Sequence, residues 1–169
     1  LLLDLLRRTG ARREELAARV VNVASESHGK AKIHFDDLQF ETRYRPEGAY
    51  GQSKLANLLF TYELDRRLGD EPVTVNACHP GFVNTRLGKD HWLVGLVLDA
   101  IHFLFAMSPQ EGAQTPIYLA AAPDVEGVSG TYWADGDSGA PSPKRSSPAS
   151  LDQETATHLW EVSEALTDR

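Results

Sequence analysis

Two short runs rich in β-branched residues, "RVVNVAS" (19–25) and "VTVNACHPG" (73–81), enclose a segment of strong helical spacing. That alternation restricts the fold more than any other feature of the chain. Between about 48 and 68, Leu55, Leu58, Leu59, Tyr62 and Leu68 recur at helical intervals, and Gly69 stops the run. The flanking runs read as buried strands at about 19–24 and 73–78. Strand, helix and strand form a βαβ unit, which places the two strands parallel with a right-handed crossover. At 169 residues the chain suits one domain, 1–169, with a real core.

The remaining segments fit around that unit. "LLLDLLRR" (1–8) reads as a helix with basic residues in its last turn and Gly10 beyond it. Residues 11–18 read as a charged connection or a helix extension, and 26–47 as a long polar loop, a length more often functional than accidental. Residues 92–107 are almost wholly apolar. They are too few to span a bilayer and carry Asp99 and His102, so a cover helix is expected. A helix is expected over 109–122 despite Pro116, a third strand at "GVSGTYW" (127–133), and a Pro/Ser-rich surface loop at "GAPSPKRSSPAS" (139–150). A final helix follows, with Ser150 as its cap. The chain opens without Met inside an apolar run, so a piece of a longer sequence is expected. "LLLDLLRRTG" has no basic leader and is interrupted by Asp4, unlike a signal peptide.

Composition excludes several functions. Net charge is −7 with both signs mixed along the chain, so a nucleic-acid partner is not expected. The single Cys78 rules out an internal disulfide framework and suits a reducing compartment. The six histidines show no zinc-ligand spacing, and no metal is assigned. Cys78 reads as a small core residue and His79 as structural in its turn.

The chemistry concentrates in "YGQSK" (50–54). Tyr50 and Lys54 are four residues apart on the central helix and so share a face. An ammonium beside a phenol favours the phenolate, which equips the pair to move a proton at a carbonyl or alcohol. Taken alone, the pair is equally readable as chance neighbours on a helix. Context strengthens it. Ser25 ends the first strand, and "HPGFVNT" (79–85) follows the second. In a parallel sheet the carboxyl ends of strands face the ligand crevice.

These stretches, with "FDDL" (35–38), "YGQSKLANLLFTYEL", "VTVNACHPGFVNTRLG", "EGAQTPIYLA", "EGVSGTYW" and "HLWEVSEAL", resemble in order the carboxyl-terminal part of a short-chain dehydrogenase/reductase, more closely its retinol-dehydrogenase-like branch. The resemblance implies an α/β, Rossmann-like parallel sheet with flanking helices, with three of the family's strands in this chain and the amino-terminal nucleotide-binding half missing. It implies that Ser25 polarises the substrate oxygen and that Tyr50 is the general acid and base. Lys54 would ease loss of the Tyr50 proton and, with Tyr50, hold the nicotinamide ribose. Pro80, Gly81, Val83 and Thr85 would line the nicotinamide. No Gly-rich phosphate turn is present in the 169 residues, and the resemblance places the helix that supplies the family's catalytic asparagine mostly upstream of "LLLDLL".

The expected activity is NAD(P)-dependent hydride transfer between a hydrophobic alcohol and its aldehyde or ketone. The cofactor is NADP or NAD, the resemblance leaning slightly to NADP. The expected partner is a small lipophilic alcohol or carbonyl compound, with no transmembrane segment in this chain. The protein is expected to be intracellular, either cytoplasmic or peripheral to a membrane. The alternative is a truncated, non-catalytic fragment or interaction module, whose exposed strand edge would invite a homo-oligomer. A sugar-nucleotide epimerase shares the Tyr/Lys pair but fits "HPGFVNT" poorly.

Overall fold

The computed structural model describes residues 2–12, 16–81, 107–136 and 139–167. The βαβ unit is present: β1 (Ala18–Val23), α2 (Pro46–Leu68, after α1 at Leu2–Ala11) and β2 (Val73–Cys78). β1 and β2 pair in parallel from Ala18↔Val73 to Val23↔Cys78. β3 (Thr131–Asp135) adds in parallel to the other side of β2, from Asn76↔Thr131 to Cys78↔Trp133. With β4 at Pro141–Pro143, the sheet order is β1-β2-β3-β4.

Helices cover both faces of β2, so every residue of that strand is buried. Val73 and Val75 pack against Leu64 and Leu68 of α2, and Ala77 against Leu58. On the opposite face Cys78 meets Leu119, Val125 and Trp133. Leu119 belongs to α4 (Gln114–Ala121), which follows the short α3 (Pro109–Gly112). β1 lies at the sheet edge and is only partly buried, not buried as its apolar run suggests.

α2 begins with Pro46 at its first turn, where a missing N–H costs nothing, and ends at Gly69 with φ +54°. Its second apolar stripe, Leu55 and Leu59, packs on Ala156 and Leu159 of α5 (Gln153–Thr167). Glu63 is buried in the same helix. Burial would raise its carboxyl, but Arg67 at 2.7 Å and Arg66 outweigh that and hold it below the usual carboxylate range. Arg19 of β1 donates to Leu119 O (3.2 Å) and Ala122 O (2.9 Å) and pairs with Glu126 (2.6 Å), closing the end of α4.

Four expectations need correction. α1 runs through Gly10, which is buried rather than a stop. The helix expected over 109–122 divides at Ala113 into α3 and α4, with Ser108 forming a capping box on α3. Pro116 falls in the first turn of α4, where no N–H is needed. The Pro/Ser-rich loop contains β4 (Pro141–Pro143), antiparallel to β3, so the sheet is mixed and has four strands. Its prolines are tolerated because β4 is an edge. Ser150 does not cap α5. It is buried in a 3₁₀ turn (Pro148–Leu151), and Asp152 Oδ1 accepts from Thr155 N at 3.0 Å instead. Residues 92–106 of the expected cover helix lie outside the described residues.

Candidate active site

Parallel pairing brings the carboxyl ends of β1 and β2 side by side, tied further by Ala24 N donating to Cys78 O at 2.7 Å. α2 crosses beside this edge. Lys54 Nζ lies 5.5 Å from the centre of the Tyr50 ring and donates to Val23 O at 3.2 Å. Asn57, one turn on, donates to the same carbonyl at 3.0 Å. The Tyr50–Lys54 pair is therefore anchored at the last residue of β1, two residues before Ser25. Tyr50 also lines an open cleft of about 680 Å³ with Glu26, Ser27, Lys30, His34 and Glu47.

Ser25 has extended backbone (φ −160°, ψ 155°) and caps a 3₁₀ turn, Glu26–Lys30. Its Oγ accepts from Ser27 N and donates to Ser27 Oγ, both at 3.3 Å. These are long bonds, so the hydroxyl can exchange them for a better acceptor. That turn packs on α2 at Gly51, where a Cβ would sit 3.2 Å from Ser27 O. Gln52 is buried and holds the long loop, accepting from His34 N (2.8 Å) and donating to Leu38 O (3.0 Å). Within "YGQSK", Gly51 and Gln52 thus carry structure.

After β2, His79 N donates to Trp133 O at 2.8 Å, while its Nδ1 is buried without a partner among the described residues. Burial pushes this imidazole down from its ordinary range, with His28 adding to the effect and Glu26 and Asp135 opposing it. Gly81 turns the chain at φ +79°, against Met107 and Asp135, and a Cβ there would meet Met107 Sδ at 2.5 Å. No described contact joins Pro80 or Gly81 to Tyr50 or Lys54. Val83 and Thr85 lie outside the described residues. Cys78 is fully buried, and burial pushes its thiol up to about 11.

Sequence spacing missed Asn57, although its place one turn after Lys54 was a signal. It also missed His28, whose role depends on contacts from a distant loop.

No family model matches the chain. It is 42% identical over 160 residues to retinol dehydrogenase 14 of Homo sapiens, covering 93% of this chain and 46% of that protein. It is 45% identical over 135 residues to human polyprenol dehydrogenase (78% of this chain, 40% of that protein). It is 38% identical over 173 residues to the short-chain dehydrogenase TIC 32 B, chloroplastic, of Brassica napus (99% and 52%). A crystal structure of an uncharacterised protein from Mycobacterium Paratuberculosis superposes with TM-score 0.65 at 34% identity, over 89% of this chain and 50% of that one. The chain spans about half the length of the curated relatives it matches. With this order of motifs on this sheet, and with these relatives, the chain belongs to the short-chain dehydrogenase/reductase superfamily, in its retinol-dehydrogenase-like branch.

Proposed function

We propose that this chain carries the proton-transfer half of an NAD(P)-dependent oxidoreductase that interconverts a lipophilic alcohol and its aldehyde or ketone. The observation that carries the reading is the placement of Lys54, 5.5 Å from the Tyr50 ring and bonded to the last carbonyl of β1. A phenol, an ammonium and a serine hydroxyl at one carboxyl edge of a parallel sheet are the groups such a reaction needs.

We assign the nicotinamide end of the cofactor to this edge of the sheet. Tyr50 and Lys54 would hold the ribose, and Pro80 and Gly81, with Val83 and Thr85, would line the ring. When bound, the cofactor supplies or accepts the hydride. Tyr50 delivers a proton to the substrate oxygen in reduction and withdraws it in oxidation. The positive charge of Lys54 stabilises the oxygen that Tyr50 is left with after giving up its proton. Ser25 donates to the same substrate oxygen. No helix among the described residues is long and apolar enough to cross a membrane. We place the protein in the cytoplasm or at a membrane surface, on lipophilic substrates of the kind that retinol and polyprenol dehydrogenases are named for.

The test is turnover of a lipophilic aldehyde with NADPH and NADH. Tyr50→Phe is expected to lower kcat by about 10²–10⁴ and to leave cofactor binding mostly intact, since the phenol that moves the proton is lost while Lys54 still holds the ribose. Near-normal turnover in that variant would overturn the assignment.

A second reading, a non-catalytic interaction module, is favoured by one observation: among the described residues no strand pairs with the outer edge of β1. Such an edge is a template for another chain. Titrating the folded chain with NADPH and NADH separates the two readings. Saturable quenching of tryptophan fluorescence supports the oxidoreductase, and its absence supports the module.

A further inference from the structure

His28 stands outside the Tyr50–Lys54 pair, yet it is only 5% exposed and both of its ring nitrogens are engaged. Nδ1 lies 2.5 Å from Ser25 O, and Ser147 N donates to Nε2 at 3.1 Å. A backbone amide can only donate, so Nε2 must be the bare nitrogen. The ring hydrogen is then on Nδ1, where it is donated to the Ser25 carbonyl. The ring stands edge-on to Tyr132, with centroids 5.3 Å apart and planes at 74°. Ser25 O also accepts His28 N at 3.1 Å, so one residue places two donors on one carbonyl.

The far side of the clamp is fastened to α2. Ser150 Oγ lies 2.7 Å from Ser147 O and 2.8 Å from Ser146 Oγ, and Ser146 Oγ lies 2.7 Å from Tyr62 Oη. A carbonyl only accepts, so the single Ser150 hydrogen goes to Ser147 O. That hydrogen is shared with Ser146 Oγ, and the Ser146–Tyr62 bond closes the link to α2 with either hydroxyl as donor. Burial pushes the Tyr62 phenol up, which keeps it protonated. Tyr62 lies on the same helix as Tyr50 and Lys54. A continuous hydrogen-bonded chain thus runs from α2 through Ser146, Ser150, Ser147 and His28 to Ser25.

We propose that His28 is a positioning residue for Ser25, a neutral Nδ1–H imidazole that fixes the Ser25 peptide to the helix bearing Tyr50 and Lys54. Ser25 Oγ has only long bonds of its own, so its position is set by its backbone, and its backbone by His28. The two groups meant to meet one substrate oxygen are thereby held in a common frame, where a misplacement of about 1 Å costs on the order of a hundredfold in rate. The role rests on the oxidoreductase reading above, while the clamp itself is a property of the folded chain.

Two near-isosteres separate the ends of the clamp. Asn places a donor near the position of Nδ1, and Gln places an acceptor near that of Nε2. Imidazole ¹⁵N spectra of the 169-residue chain are expected to show His28 as the Nδ1–H tautomer. An Nε2–H tautomer or an imidazolium at neutral pH overturns the proposal. His28→Asn is expected to leave the Ser25–Ser27 amide resonances near their original positions and shift that of Ser147. His28→Gln should do the reverse. In turnover, H28Q is expected to lose about a hundredfold in kcat and H28N only a few-fold, with KM for both substrates nearly constant. Equal kcat losses in the two variants, matching only their loss of folded protein, would reduce His28 to a stabilising residue and overturn the role. A chain that shows the tautomer and the shift pattern while Tyr50→Phe leaves turnover near normal overturns the oxidoreductase reading instead, so the two failures are distinct.

Discussion

At Gly10 the carbonyl oxygen of Pro72 leaves no room for a side chain: a Cβ there would lie 1.9 Å from that oxygen. Gly10→Ala is therefore expected to destabilise the fold by about 1–3 kcal/mol, because the contact is with backbone that cannot swing aside. A urea midpoint unchanged from the parent would contradict that. The sequence suggested a helix stop at Gly10, because glycine after basic residues is the common stop signal, and nothing local announces Pro72. Cys78 behaves oppositely, its core role being readable from its place in a β-branched run. With the thiol buried and raised to about 11, a thiol reagent at pH 8 is expected to react only as fast as the chain unfolds. Rapid labelling of the native chain would show the strand to be open. Tyr50 and Lys54 were legible because helical spacing alone puts them together. Asn57 and His28 were not, because their partners are backbone atoms 34 and 119 residues away.

Elements were legible where one period dominates. α2 and β2 follow the sequence closely, since an uninterrupted apolar pattern and a clear stop leave little choice. The carboxyl-terminal third was harder, because Pro and Ser there serve turns, an edge strand and a buried polar cluster at once. Ser150 and Asp152 show the difference. Both suit a cap, but only the fold decides that Ser150 is buried at 1% exposure while Asp152 faces the first turn of α5. Asp152→Ala is expected to cost about 1 kcal/mol and to speed hydrogen exchange at the Thr155 amide. Ser150→Ala should cost about 1–3 kcal/mol through the Ser146–Ser147 cluster and leave Thr155 protected. Faster exchange at Thr155 in the Ser150 variant would restore Ser150 as the cap.

For the whole molecule, acid stability follows from groups that the folded state titrates differently. His79 is pushed down by burial, so below its ordinary value of about 6.5 the unfolded chain binds this proton more readily than the native one. Stability should be fullest above that pH and fall as pH drops toward the lowered folded value. Glu63 and Glu126 are both held low, with Arg67 and Arg66 overcoming burial at Glu63, and Arg19 and the Ala17 amide acting on Glu126. Their contribution is present above the usual carboxylate range and is lost as pH falls through it, giving a second decline. A Tm that stays constant from pH 7.5 down into the carboxylate range would exclude the His79 contribution. His79→Gln should remove the upper step alone. The sequence by itself determined the βαβ unit, the helix that carries Tyr50 and Lys54, and the edge of the sheet they approach. Those depend on periodicity and on the handedness and pairing rules of short segments. Only the tertiary structure decided that β4 pairs on the outer side of β3, that α1 packs on Pro72, and that His28 joins Ser25 to Ser147. Each of these is a meeting of groups far apart in the chain, chosen by which backbone donors and acceptors remain unpaired once the core has closed, and local spacing does not encode that.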